Sequence, residues 1–214
     1  MCPLTAEATQ RALDELQDRP LNFDPAERPT WTADAGWRID DYCQPLPAEA
    51  PGQPQPGGPW ARARQLLRDY EFADPRIVRA IYDPGGPLEG RNMLLEVHFW
   101  GLTFRLGVRV SGVTDEVRRV GAREVRVWGW SYATLQGHFE TGQMDYEVWK
   151  WLDTGAVEFR IHVVSRASRI GNPIIRLGVR LFGRREQVRF AKRACERMAS
   201  LVGGADEPGM AAGR

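Results

Sequence analysis

Through the middle of the chain, apolar residues recur at every second position. Leu102, Phe104, Leu106, Val108 and Val110 alternate with Thr103, Arg105, Gly107, Arg109 and Ser111, the period of a strand with one buried face. Met93, Leu95, Val97 and Phe99 carry the same rhythm upstream, and Gly101 marks the bend between the two runs. Val125 and Val127 lead into Gly129 and Ser131, opposite Trp128, Trp130, Tyr132 and Thr134. Met144, Tyr146 and Val148 form another face, and Val157, Phe159, Ile161, Val163 and Ser165 alternate with Glu158, Arg160, His162 and Val164. Strands that follow one another without helices between them pair antiparallel.

Helical periodicity frames this block. Residues 5–18 predict a short helix with Thr5 near its start and a thin apolar edge of Ala8, Leu13 and Leu16. A first strand is expected over residues 37–43. Residues 60–72 then place Trp60, Ala63, Leu67 and Tyr70 on one side of an amphipathic helix. A short second strand over 76–82 ends in the turn Asp83-Pro84-Gly85-Gly86. The last element is a long helix. Asn172 and Pro173 supply its start, and Gly203-Gly204 its end. Ile174, Leu177, Leu181, Val188, Ala191, Cys195, Met198 and Val202 form its apolar stripe, each large side chain worth ~1.5–3 kcal/mol when buried.

The stripe is interrupted between Leu181 and Val188, where the rhythm calls for residue 184 or 185 and both are Arg. An unpaired buried guanidinium costs several kcal/mol, so the helix lifts off there or the Arg meets an acceptor. Gly178 and Gly183 permit a kink nearby. A polar gap of this kind in a helix–sheet interface is the sequence signature of a pocket.

These elements predict an α+β domain over 36–202, a curved antiparallel sheet of six to seven strands gripping the C-terminal helix. Residues 1–35 form an N-terminal helix and a surface arm punctuated by Pro20, Pro25 and Pro29. Residues 45–59, with six Pro and three Gly, form a loop with the composition of a mobile one. Residues 203–214 read as a disordered tail. A chain of 214 residues is long enough to bury a core without staples.

Charge adds one feature. Residues 1–59 hold ten acids against four Arg, net −6, while 166–197 hold nine Arg and one Lys against two Glu, net +8. Such asymmetry can mark an anionic partner. However, Arg outnumbers Lys 27 to 2 across the whole chain, so Arg is its habitual cation, and the acidic N-terminal region can cover the basic helix in the same molecule. No nucleic-acid partner is expected. Cys2, Cys43 and Cys195 are scattered, without disulfide or zinc spacing, and no leader or transmembrane stretch is apparent. The expected location is the cytoplasm, without a metal or cofactor.

The element order is similar to the helix-grip topology of START-type and Bet v 1-type lipid and hormone binders. Three segments carry a closer resemblance. Tyr132-Ala133-Thr134-Leu135-Gln136-Gly137-His138-Phe139-Glu140 resembles the Tyr-Gly-Thr-Leu-Pro-Gly-His-Pro-Glu run of the family called domain of unknown function nineteen-ninety. Ser165-Arg166-Ala167 resembles its Ser-Arg-Pro, and Arg185-Glu186-Gln187-Val188-Arg189-Phe190 is similar to its Arg-x-Gln-x-x-Phe. The resemblance runs over residues 37–201. Ala133, Gln136, Phe139 and Ala167 replace a Gly and three Pro, and Gln143-Met144 stands where acidic residues are usual. The family has no established activity, so the resemblance implies a fold and the location of a site.

Candidate chemistry is sparse. His138 beside Glu140, after the Gly137 turn, offers a general base titrating near neutrality. The plainer reading has His138 cap a hairpin by bonding backbone. Ser165 and Arg166 can line a cavity and its rim, or end a strand and pair with the arm. Arg184, Arg185 and Gln187 can face the same space from the helix, although Arg185 and Gln187 point about 200° apart. Trp128, Trp130, Tyr132 and Thr134 can form an aromatic wall for a ligand, or plain core. Trp149 and Trp151 lie on another face, and His98 and His162 read as surface residues. The leading expectation is a pocket for a small apolar or amphipathic molecule with an anionic or carbonyl end. The alternatives are an enzyme in that pocket using His138 and Glu140, or an interaction module presenting its basic helix to an anionic surface. Oligomeric state is open.

Overall fold

The structure, a computed structural model, describes residues 5–99, 101–168 and 183–204. Helix α1 (Ala6–Gln17) begins where the Thr5 hydroxyl accepts the Ala8 N–H, and a 3-10 turn spans Pro25–Thr30. Strand β1 (Arg38–Leu46), helix α2 (Pro59–Arg68) and strand β2 (Val78–Ile81) follow. Five strands come next: β3 (Asn92–Phe99), β4 (Leu102–Val120), β5 (Arg123–Thr134), β6 (Glu140–Trp151) and β7 (Val157–Ala167). Helix α3 (Arg184–Gly203) closes the described chain. The strands form one antiparallel sheet in the order β1-β7-β6-β5-β4-β3-β2. It curves around α3 in the helix-grip arrangement expected from the sequence.

Alternation decides which side chains meet the helices. Val157, Phe159, Ile161 and Val163 of β7 join Met144, Tyr146 and Val148 of β6 and Trp128, Trp130 and Tyr132 of β5 in one core. Phe190, Ala191, Ala194, Cys195, Met198 and Val202 of α3 pack into it. Ala191, Cys195, Met198 and Val202 are the C-terminal part of the expected stripe; Phe190 and Ala194 join them, and Val188 is only half-buried. The expected helix start at Asn172 and the positions Ile174, Leu177 and Leu181 lie outside the described residues. Helix α2 seals the other end, its Trp60 and the sheet's Trp130 donating indole N–H bonds to Val148 O at 3.2 Å and Leu67 O at 3.1 Å. Tyr70 follows α2 at φ 60°, a left-handed conformation unusual for a bulky residue, and it turns the chain into the core beside Phe72.

Three expectations change. The first strand runs through Pro45 to Leu46, because an edge strand tolerates a proline. Strand β4 continues to Val120, past a bulge between Val110 and Gly112, and turns at Gly121. Its last ten residues lack clean alternation, which hid them. The rest of the proline-rich loop is tied down. Glu49 Oε2 meets Lys150 Nζ at 2.6 Å with both side chains fully buried, while the backbone N–H groups of Trp60 and Gln55 donate to the same carboxylate. Lys150 Nζ also donates to Gln53 O at 3.0 Å. A Cβ on Gly155 (φ 74°) would lie 1.9 Å from the Glu49 carbonyl oxygen, so only glycine admits this approach.

Candidate functional site

Strand β1, the starts of β6 and α3, and the end of β7 converge at one mouth of the grip. The pleat turns Ser165 inward, leaving it 4% exposed. Gln187, one turn into α3, donates from Nε2 to Ser165 Oγ at 3.0 Å and to Glu140 Oε2 at 3.2 Å. Its Oε1 accepts from Arg184 Nη1 at 3.2 Å. Arg184 grips Asp40 of β1 through both terminal nitrogens, with Nη2 2.6 Å from Oδ1. Arg38 Nη1 stands 3.8 Å from Glu140 Oε1. The helix Arg in the interrupted stripe has therefore met an acceptor, and that acceptor belongs to the acidic N-terminal region.

Burial pushes the Glu140 carboxyl up to about 7, against the pull of Arg38 and Arg184, and Asp40 adds to the rise. Near neutral pH this group can donate or accept a proton. Its strand is held from behind by the N-terminal arm. Asn22 Nδ2 donates to Glu140 O at 2.9 Å, and Thr134 Oγ1 donates to Asn22 Oδ1 at 2.6 Å and accepts the Gly142 N–H at 3.0 Å. Glycine is required at 142, where a Cβ would meet Val164 O at 2.0 Å.

Deeper in the core, Tyr132 and Tyr146 from the sheet meet Tyr70 from beyond α2. Ring centroids lie 5.9 Å apart for Tyr132–Tyr146 and 6.4 Å for Tyr70–Tyr146. Burial pushes all three phenols up, and each feels the hydroxyl of a neighbour. Tyr132 Oη reaches Met144 Sδ at 3.6 Å. The Oη atoms of Tyr70 and Tyr146, though fully enclosed, have no partner at hydrogen-bonding geometry among the described residues. Trp130, Phe72 and Phe159 surround them. The charge of Glu140 adds to the rise at Tyr132.

Of the residues singled out in the sequence, Glu140, Ser165, Arg184 and Gln187 come together at the mouth, with Tyr132 below. Trp130 lies in the wall. Trp128 packs in the same core under Arg64, and Thr134 supports the strand. The others diverge. His138 Nδ1 lies 3.0 Å from both the N–H and the carbonyl oxygen of Glu140, accepting from one or donating to the other according to tautomer. Burial lowers its pKa to about 4, not near neutrality, and these bonds are to backbone rather than to the Glu140 carboxylate. Arg166 stacks over Trp37 at 4.3 Å, while Arg185 is exposed, consistent with the angular separation from Gln187. Trp149 and Trp151 form a separate cluster on the opposite sheet face, beneath Arg160 and Arg123. Tyr70, Arg38, Asp40 and Asn22 were not singled out. Tyr70 reads as ordinary helix face in sequence, and nothing local marks the other three.

Among the described residues no His, Cys, Asp and Glu set could hold a metal ion, and no helix is long and apolar enough to cross a membrane. No curated protein matches the chain. Solved structures similar in fold include a protein from Thermus thermophilus (10% identity, TM-score 0.48, covering 79% of this chain and 99% of that one). A START superfamily protein from Mycobacterium smegmatis is 11% identical, with TM-score 0.43 and coverage of 78% and 98%. A point mutant of Thalictrum norcoclaurine synthase in complex with a transition state analogue is 9% identical, with TM-score 0.46 and coverage of 79% and 96%. Residues 26–197 match the family described as Domain of unknown function (DUF1990), and with most of its length inside that match, the chain belongs to this family.

Proposed function

We propose that the protein binds a small, mainly apolar molecule carrying one hydroxyl or carbonyl group, enclosed between the concave sheet face and α3. One observation carries this reading: the Tyr70 and Tyr146 hydroxyls are enclosed beside one another and Tyr132, with no bond of full hydrogen-bonding geometry among the described residues. Each such group costs about 1–3 kcal/mol when left unbonded. Retaining two of them side by side is reasonable if a ligand oxygen satisfies them. The aromatic rings around them supply the apolar contact, and Glu140, Gln187 and Ser165 supply a polar rim at the mouth. Native mass spectrometry of protein purified from its own host tests the idea. A small-molecule adduct that disappears on denaturation is expected, whereas a clean unliganded mass argues against it.

A second reading is catalytic. A Glu140 carboxyl titrating at about 7, hydrogen-bonded to Gln187, suits acid–base work on a ligand seated at the mouth. In this reading Glu140, rather than His138, carries the proton. Glu140→Gln would then abolish turnover found in a hydrolase and lyase screen while leaving the adduct in place. Turnover that survives the substitution ends the catalytic reading.

A further inference from the structure

Beside the outer edge of β1, the sheet leaves a second long stretch of strand edge bare among the described residues. Strand β3 accompanies β4 only as far as Arg109, and beyond the bulge residues Gly112–Val120 pair with β5 alone among the described residues. Val113, Val117 and Val120 are 39%, 50% and 38% exposed on this stretch. Natural sheets rarely leave such an edge open, since its N–H and C=O groups template pairing with another strand.

The residues along it are self-complementary. Asp115-Glu116-Val117-Arg118-Arg119 reads acid, acid, apolar, base, base. When two copies run antiparallel about a two-fold axis at Val117, Glu116 of each faces Arg118 of the other, and Asp115 faces Arg119. Val117 meets its own counterpart. Four opposite-charge pairs form, with no like-charge pair among them. Sliding one strand by two residues sets Arg118 against Arg118 in one direction and Glu116 against Glu116 in the other, so the charges select one alignment. The charges already have company within a chain: Arg118 reaches Glu116 and Glu147, and Asp115 pairs with Arg126. Arg119 has no ionic partner among the described residues. A two-fold pairing uses up both edges and so ends in a closed dimer rather than a fibre.

We propose that the protein forms a homodimer by antiparallel pairing of the β4 edges about Val117, joining two sheets into one. Sedimentation velocity over the soluble concentration range should show a monomer–dimer equilibrium that weakens with added salt. A charge swap makes the test specific. D115R/E116R chains and R118E/R119E chains should each be monomeric alone and should form a one-to-one heterodimer when mixed, with thermal melts confirming that both fold. A wild-type protein that stays monomeric throughout overturns the proposal, even if its edge captures an extended peptide from another protein. So does a dimer that either variant retains alone.

Discussion

Lys150 Nζ and Glu49 Oε2 sit 2.6 Å apart with neither side chain exposed to solvent. This contact fastens the proline-rich loop to β6 at the end of the sheet where α2 begins. Removing one member leaves the other buried and uncompensated, which costs about 3–5 kcal/mol. Lys150→Ala should lower the unfolding free energy by that amount in urea titrations at pH 7. Burial alone would raise the Glu49 carboxyl, but its bonds to Lys150 and to the Gln55 and Trp60 N–H groups outweigh this and hold it below its ordinary value. The stability it contributes is therefore present above the unfolded pKa and is lost as pH falls through the folded one.

Glu140 has the opposite sign. Its ordinary value is 4.5, and burial lifts it to about 7 in the fold. The folded state holds its proton more tightly, so the stability it contributes is complete below pH 4.5 and is lost as pH rises through 7. Glu140→Gln should flatten that decline. Urea midpoints measured from pH 5 to 8 should fall for the wild type relative to the variant, and parallel curves would refute the shift.

His138 acts over an overlapping range in the reverse direction. Burial lowers it from 6.5 to about 4, so its contribution is present above pH 6.5 and lost as pH falls through 4. NMR titration of its ring protons should show a neutral imidazole at pH 6. An imidazole half-protonated at that pH would favour the near-neutral general base over the backbone-bonded turn cap, the two readings the sequence left open.

The fold was legible because strand alternation is a local pattern. Val157 to Val163 and Leu106 to Val110 each declare a buried face within their own segment, although Leu102, which shares the second rhythm, is 59% exposed. The site was legible only in part. Glu140, Ser165 and Gln187 stood out, but the Asp40–Arg184 pair joins residues 144 positions apart, a relationship no local pattern carries. The choice between the two readings of His138, general base or backbone-bonded turn cap, has the same cause. Its titration depends on how deeply the β5–β6 turn is enclosed, and composition cannot reveal that depth. Proline content marks residues 45–59 as irregular, but it cannot show that Glu49 meets Lys150 of β6, 101 positions away.

The most direct measurement bears on the enclosed phenols. Tyr146→Phe removes a hydroxyl that lies near those of Tyr70 and Tyr132 but makes no bond of full hydrogen-bonding geometry among the described residues, and leaves the ring packing against Trp130, Phe72 and Phe159 intact. Chemical denaturation of the ligand-free proteins should find the variant as stable as the wild type, or more so by up to about 1–3 kcal/mol, while the adduct seen in native mass spectra of wild-type protein is lost. A variant that is clearly less stable when empty, with its ligand content unchanged, would show that the hydroxyl serves the fold and would contradict the binding account.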